Sequence, residues 1–198
     1  MDAGANLLVT GPNTSGKSAL FRVLGGLWPV RAGVVHKPGG AAADQLKNVF
    51  LVPQLPYNVL GSLGDMITYP HPADLNDPRL PELLRVVRLA HLAERPGGLA
   101  AEENWADVLS LGEQQRLGMA RLFYHRPKFA VLDQCTDAVS VDVEEYLYDY
   151  ARALGITIIT ISQRPGLVGR HTQQLALQGG GSSNWKLWRL HADPPAQA

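Results

Sequence analysis

Asn6-Leu7-Leu8-Val9-Thr10 runs directly into Gly11-Pro12-Asn13-Thr14-Ser15-Gly16-Lys17-Ser18, and a helically periodic run follows. The octet satisfies G-x-x-x-x-G-K-S/T in the strand–loop–helix setting that gives this motif its meaning. Such a loop turns its backbone N–H groups, and those of the helix start, toward nucleotide phosphates. In that arrangement Lys17 neutralises the β- and γ-phosphates, and the Ser18 hydroxyl ligates Mg²⁺. Gly11 through Ser18 are therefore the first candidate binding residues, and a nucleoside triphosphate is the expected ligand.

Working outward, short β-rich runs occur at Asn6–Thr10, Gly33–His36, Asn48–Val52, Lys128–Leu132, Ile156–Ile161 and Gln174–Leu177. Several are continuously apolar, as in parallel strands buried on both faces. Asn184–Leu190 alternates and predicts an edge strand. Leu20, Val23, Leu24 and Leu27 make one helical stripe, and Leu83, Leu84, Val87 and Leu92 a second. A third helix starts at Ser110, an N-cap with Glu113 closing a capping box, and stops before Pro127. Strands alternating with helices imply an α/β fold. The stretch from about residue 56 to 126 reads as a helical insertion between two strands.

Composition bounds the rest. The chain has 198 residues, 18 basic and 18 acidic side chains, and one cysteine, Cys135. At roughly 150 residues per domain this is one domain, or one with an insertion. A net charge of zero argues against nucleic acid as a partner, since phosphate-backbone binding leaves a basic surplus. One cysteine excludes an internal disulfide. No apolar run reaches the ~18–20 residues of a membrane span, so the chain alone reads as soluble. The 20 glycines and 14 prolines fit a loop-rich globular domain.

A phosphate loop needs a further acidic residue at the end of a neighbouring strand to hold Mg²⁺. Phe129-Ala130-Val131-Leu132-Asp133 supplies it in Asp133. Upstream, Leu109-Ser110-Leu111-Gly112-Glu113-Gln114-Gln115-Arg116 opens a helix, and Gln54 ends a strand. With these in place the chain resembles the nucleotide-binding domain of an ATP-binding cassette (ABC) transporter, in the order phosphate loop, Gln54, signature, Asp133, Asp137–Ser140. FRVLGGLWP (Phe21–Pro29), VPQLPY (Val52–Tyr57), MARLFYHRPKFAVLD (Met119–Asp133) and SVDVEE (Ser140–Glu145) are similar to subfamily D. Those are peroxisomal transporters of very-long-chain fatty acids or their CoA esters. LSLGEQQRLGMARLFYHRPKF and ISQRP look most like the plant and algal full-size type.

The resemblance implies a P-loop NTPase of the ABC ATPase type, with a RecA-like parallel sheet core at about 1–55 and 127–190. It implies an inserted helical subdomain at about 56–126, with ATP and Mg²⁺ as ligands. Ser18, Gln54 and Asp133 would hold the metal. Two domains would pair head to tail, ATP on Lys17, Ser18 and Asp133 of one being capped by Ser110, Gly112 and Glu113 of the other. A transmembrane domain, in the same polypeptide or a partner chain, would handle the fatty acyl substrate at the peroxisomal membrane, with this domain on the cytosolic face. The family's adenine-stacking β segment has no counterpart here, so weak ATP binding by the isolated chain is expected.

Four positions depart from the family pattern. Gln134 replaces the Glu that activates the attacking water, and an amide takes no proton near neutral pH; a positioned base is worth ~10²–10⁴ in rate. Gln163, in Ser162-Gln163-Arg164-Pro165, replaces the switch histidine at the γ-phosphate. Leu111 replaces a signature glycine, and Asp137 a serine near the dimer interface. Thr14 counts as milder, because both motif glycines survive. Gln134 and Gln163 are thus the catalytic-position residues, and weak hydrolysis is expected at this chain's own site.

Two alternatives stand beside a transporter motor: a degenerate regulatory half that holds ATP with little hydrolysis, and a soluble ABC ATPase without a membrane partner. Among the remaining residues, His125 and Arg126 read as helix C-terminal charges. Cys135 reads as a small buried residue. Trp105, Trp185 and Trp188 read as packing or interface residues. The six histidines lack metal-ligand spacing.

Overall fold

A computed structural model describes residues 3–38, 45–179 and 184–190. The remaining residues of the expected core, 1–2, 39–44 and 180–183, lie outside the described ones. Six strands make one sheet: β1 (Leu7–Thr10), β2 (Val49–Val52), β3 (Phe129–Asp133), β4 (Thr157–Ile161), β5 (Gln173–Leu177) and β6 (Trp185–Arg189). Their order is β2-β3-β4-β1-β5-β6, with β1 to β5 parallel and β6 antiparallel to β5. The expected parallel sheet is therefore present, and β3 and β4 are buried on both faces as their apolar runs require.

Alternation along the strands divides the core. Leu8, Val52, Ala130, Leu132 and Ile158 face a large cluster with α3 (Leu63–Thr68), α4 (Arg79–Val86), α6 (Leu111–His125) and α7 (Val141–Ala153). Val9, Val131 and Ile161 face the other way, onto Phe21, Leu20 and Leu24 of α1 (Lys17–Leu24). Each fully buried Leu or Phe contributes ~1.5–3 kcal/mol, and Leu117, Leu122 and Phe123 give α6 its hold on both the sheet and the neighbouring helices. The one-turn α2 (Gln45–Asn48) leads into β2; between β2 and β3 the described chain forms helices and turns, among them the one-turn α5 (Trp105–Val108), and an isolated antiparallel bridge pairs Ser62 with Glu102. Trp105 there is buried, its Nε1 donating to the Gly61 carbonyl at 2.9 Å.

Several expectations change. Gly33–His36 forms no strand: Gly33 takes φ 86°, Val34 is exposed, and none of the four pairs with a strand among the described residues. Leu27 leaves the α1 stripe for solvent, since the helix ends at Leu24 and Gly26 turns the chain at φ 74°. β6 is the expected edge strand, but all five of its residues are exposed, Trp185 and Trp188 included, so its alternation buries neither face. His125 stands in the last turn of α6, where it stacks on Phe50 and its Nε2 lies 2.8 Å from the Tyr69 carbonyl, and burial holds its pKa below the ordinary value, which works against the charge expected of it. Arg126 caps α6 in a left-handed turn.

Two anchors fix the central strand. Asn6 is buried, its side-chain oxygen accepting from the Ile158 N–H at 2.9 Å and its carbonyl from those of Thr172 and Gln173. Residues ahead of β1 are thereby tied to the two strands that flank it. No helix among the described residues is long and apolar enough to cross a membrane.

Candidate functional site: a phosphate loop and the segments that meet it

β1 is an interior strand, and the loop that leaves its C-terminal end leads into α1. Gly11 takes φ +150°, and a Cβ there would come within 2.5 Å of the Leu177 carbonyl and 2.7 Å of Ser15 Oγ, so only glycine fits. Gly16 caps α1 at φ 95° with no side-chain hydrogen bond, and no acidic residue occupies the first turn. The N–H groups of that turn therefore have no side-chain partner of their own, which is the condition for binding an anion. Ser15 Oγ is buried and has no hydrogen-bond partner among the described residues. The loop's shape and its unmet donors fit a phosphate.

Lys17 is buried and folds back over this loop, donating to the Gly11 and Pro12 carbonyls at 2.6 and 2.7 Å. Burial pulls its pKa below the ordinary value, and the Asp133 carboxylate pulls the other way. Asp133 ends β3, and burial raises its carboxyl above the usual range, with Lys17 opposing and Asp137 adding to the rise. Lys17 and Asp133 thus sense each other across β1 and β3. Ser18 and Asp133 offer hard oxygen donors, and Mg²⁺ takes one or two such groups while phosphates and water complete its shell. The donor set fits that ion.

Thr14 is not the mild change its sequence suggests. It takes φ 71°, a left-handed conformation that is an outlier for a β-branched residue. Gln134, directly after Asp133, also has positive φ, 49°, and its N–H donates to the Ile161 carbonyl. Gln163 reaches the loop from the far side: its Nε2 donates to Asn13 Oδ1 at 3.2 Å and to the Gly11 carbonyl at 3.3 Å. The structure thus brings Gln163 to Gly11 and Asn13. Gln54 Nε2 instead turns to Asp137, 3.5 Å from its Oδ2.

Ser110, Gly112 and Glu113 form a separate feature at the start of α6. The capping box is present: Ser110 N and Oγ donate to Glu113 Oε2 at 2.9 and 2.7 Å, and the Glu113 N–H points back to Ser110 Oγ. Burial works against the charged form of Glu113, but the hydrogen bonds from Ser110 outweigh it and hold the carboxyl below its ordinary pKa. These interactions are internal to α6, and Ser110 is exposed. A Cβ on Gly112 would come within 2.7 Å of the Ala138 carbonyl, so α6 and the segment after Gln134 meet backbone to backbone.

Two residues outside the expected site set, Gln115 and Arg164, organise these parts. Gln115, fully buried, donates from Nε2 to the Gln54 carbonyl at 3.0 Å and the Gln134 carbonyl at 3.5 Å, and its Oε1 accepts from the Ala138 N–H at 2.9 Å. Arg164 donates to the Asp137 and Val139 carbonyls at 2.6 and 3.1 Å and to buried Glu144 at 3.0 Å. The signal for Gln115 was its phase, one turn before buried Met119 on the same face of α6. Cys135 is buried as read, and burial pushes its thiol well above the ordinary value.

The comparisons with known proteins agree with this geometry. The chain matches the ABC transporter family over residues 1–137. It is 50% identical over 196 residues to "ABC transporter D family member 1" of Arabidopsis thaliana, covering 96% of this chain and 14% of that protein. It is 47% identical over 190 residues to "ATP-binding cassette sub-family D member 3" of Mus musculus, covering 93% of this chain and 28% of that one. The chain thus spans under a third of the length of either relative. Its fold is similar to a solved bacterial Atm1-family ABC exporter with ATP bound, with a TM-score of 0.77 at 22% identity over 92% of this chain and 33% of the other. A phosphate loop of this shape and a family match over more than half of the sequence lead to one conclusion: the chain belongs to the ABC transporter family, as a nucleotide-binding domain of the kind found in subfamily D.

Proposed function

We propose that this chain is the ATP-driven motor of a subfamily D transporter, and that its own site holds ATP far longer than it cleaves it. The loop at Gly11–Ser18, with α1 uncapped behind it and Gln163 reaching Asn13, carries this reading. Backbone N–H groups and Lys17 bind the phosphates, while Ser18, Gln54 and Asp133 provide metal ligands. Mg²⁺, when bound, neutralises phosphate charge and orients the γ-phosphate. Residues 56–126 act as a helical subdomain on a core of 1–55 and 127–190.

In this reading two such domains pair head to tail, and Ser110, Gly112 and Glu113 meet the nucleotide of the partner domain. The helix start they form supports this, since its positive end suits a γ-phosphate. A transmembrane partner docks beside Gln54, where Leu55, Tyr57 and Leu60 are exposed around a cleft of about 460 Å³ lined by Phe50, Pro53, Pro56, Tyr69 and Arg121. The cargo, very-long-chain fatty acids or their CoA esters at the peroxisomal membrane, rests on the resemblance to subfamily D alone.

Gln134 and Gln163 favour slow turnover, because neither side chain takes a proton near neutral pH. The test is ATP binding and ATPase activity of the chain, its Lys17→Met variant and its Gln134→Glu variant. Lys17→Met should abolish binding. Gln134→Glu should raise turnover by ~10² or more, the worth of a positioned base, with affinity unchanged. Brisk turnover in the unaltered chain that Gln134→Glu leaves alone would overturn the slow-site reading.

A further inference from the structure

Three segments that carry site residues converge on one buried side chain. Gln115 has no solvent exposure, and every hydrogen-bonding group of its amide is used: both N–H groups on the Gln54 and Gln134 carbonyls, and Oε1 on the Ala138 N–H. An amide buried this deeply is tolerated only when fully satisfied. Its three partners are backbone groups, so it reads the position of the chain and not the identity of a neighbouring side chain. The Ala138 peptide is held at both ends, its N–H by Gln115 and its carbonyl pressed close to Gly112. Ser110 caps the same helix five positions earlier, so Gln115 and the capping box ride on one rigid rod.

We propose that Gln115 is a positioning residue that makes the Gln54 turn, the Gln134–Ala138 segment and the first turns of α6 move as one body, so that a nucleotide held at Lys17 is felt at Ser110. Asp133 adjoins Gln134, so a shift at the end of β3 passes into the Gln134 carbonyl and from there to α6. Arg164 holds the same segment from the opposite side, through Asp137 and Val139, but has no hydrogen bond to α6 among the described residues. It ties the segment to the Gln163 loop, whereas Gln115 ties it to the signature helix. The proposal rests on the nucleotide reading given above, and the two fail separately.

The test is amide hydrogen exchange on the whole chain, with and without MgATP, for the wild type, Gln115→Met and Arg164→Lys. Met keeps the length of Gln115 and removes its hydrogen bonds. In the wild type ATP should slow exchange at Ser110–Gln114. Gln115→Met should bind ATP within about threefold of wild type and lose that slowing, while Arg164→Lys keeps it. Slowing that persists in Gln115→Met, slowing absent from an ATP-bound wild type, or equal loss in both variants would overturn the proposal. If the wild type binds no ATP, the nucleotide reading falls and the free chain decides the linkage. There Gln115→Met should speed exchange of the Ala138 amide about tenfold through local opening, and an unchanged rate would overturn it. Should Gln115→Met fail to fold, Gln115→Glu keeps the acceptor for Ala138 and removes both donors. It should leave Ala138 protected and still break transmission to Ser110; intact transmission would overturn the proposal.

Discussion

Gln163 Nε2 lies 3.2 Å from Asn13 Oδ1, joining the loop after β4 to the phosphate loop after β1 across 150 residues of sequence. A neutral amide at this position can donate to the loop but adds no charge. Removing it in Gln163→Ala deletes interactions worth about 0.5–1.5 kcal/mol each. ATP affinity should fall two- to tenfold, about that energy, as read by calorimetric titration. Gln163→His should bind ATP more tightly below about pH 6.5 than above it, because only the imidazolium brings a positive charge. Equal affinity in Gln163→Ala and wild type would mean that the contact plays no part in binding.

Thr14 supplies a second test. Its φ of 71° places a β-branched residue in the left-handed region, and its side chain is exposed, so little packing is lost on removing it. Left-handed backbone costs an L-residue about 1–2 kcal/mol, partly offset by glycine's greater freedom in the unfolded chain. Thr14→Gly should therefore raise stability by up to about 1 kcal/mol, or roughly 2–4 °C in melting temperature for a chain of this size. A lower melting temperature would contradict the strain.

Gly112 tests the contact between α6 and Ala138. Alanine is the better helix former by ~1 kcal/mol, yet its Cβ would sit 2.7 Å from a backbone oxygen. Forced backbone shifts of this kind cost typically about 1–3 kcal/mol, so Gly112→Ala should melt lower despite its propensity. Melting at or above the wild-type temperature would show that the two segments separate freely.

Stability should also depend on pH through His171. It is buried, with Nδ1 2.7 Å from the Leu167 carbonyl and Nε2 2.8 Å from Thr160 Oγ1, and burial lowers its pKa to about 4. The unfolded chain takes up its proton near pH 6.5 and the folded one only near pH 4. The contribution is therefore complete above pH 6.5 and lost as pH falls toward 4, in total about 3 kcal/mol. Denaturant titrations from pH 7 to 4 should show this decline, and the His171 ring resonances should not titrate above pH 5. His125, whose pKa burial also lowers, acts in the same direction.

What could be read from the sequence was what is local. The phosphate loop, the Ser110–Glu113 box and the end of α6 before Pro127 each lie within a few consecutive residues, and each stands as expected. Gly33–His36 reads as a strand because propensity is local too, but a strand also needs a paired partner, and this segment has none among the described residues. β6 alternates as an edge strand should, yet what covers its faces is no property of its own residues. Gln115 was hidden for a related reason. Its partners lie 61, 19 and 23 residues away, and only the fold brings their backbone groups to one amide. Thr14 shows a third case, since motif matching counts glycines and does not see torsion angles.

The position of β1 in the sheet has a consequence for how the chain is made. Its neighbours, β4 and β5, begin at Thr157 and Gln173, and Asn6 is anchored to Ile158 and Thr172. The strand that leads into the phosphate loop is thus synthesised long before the strands that seat it, and it cannot be seated until β4 and β5 have left the ribosome. Contacts this distant in sequence make folding slow. The helical stretch between β2 and β3, built from neighbours close in sequence, can form while β1 waits. Nucleotide capacity therefore arrives last, and a nascent domain truncated before β5 has a Gly11–Ser18 sequence but no seated phosphate loop.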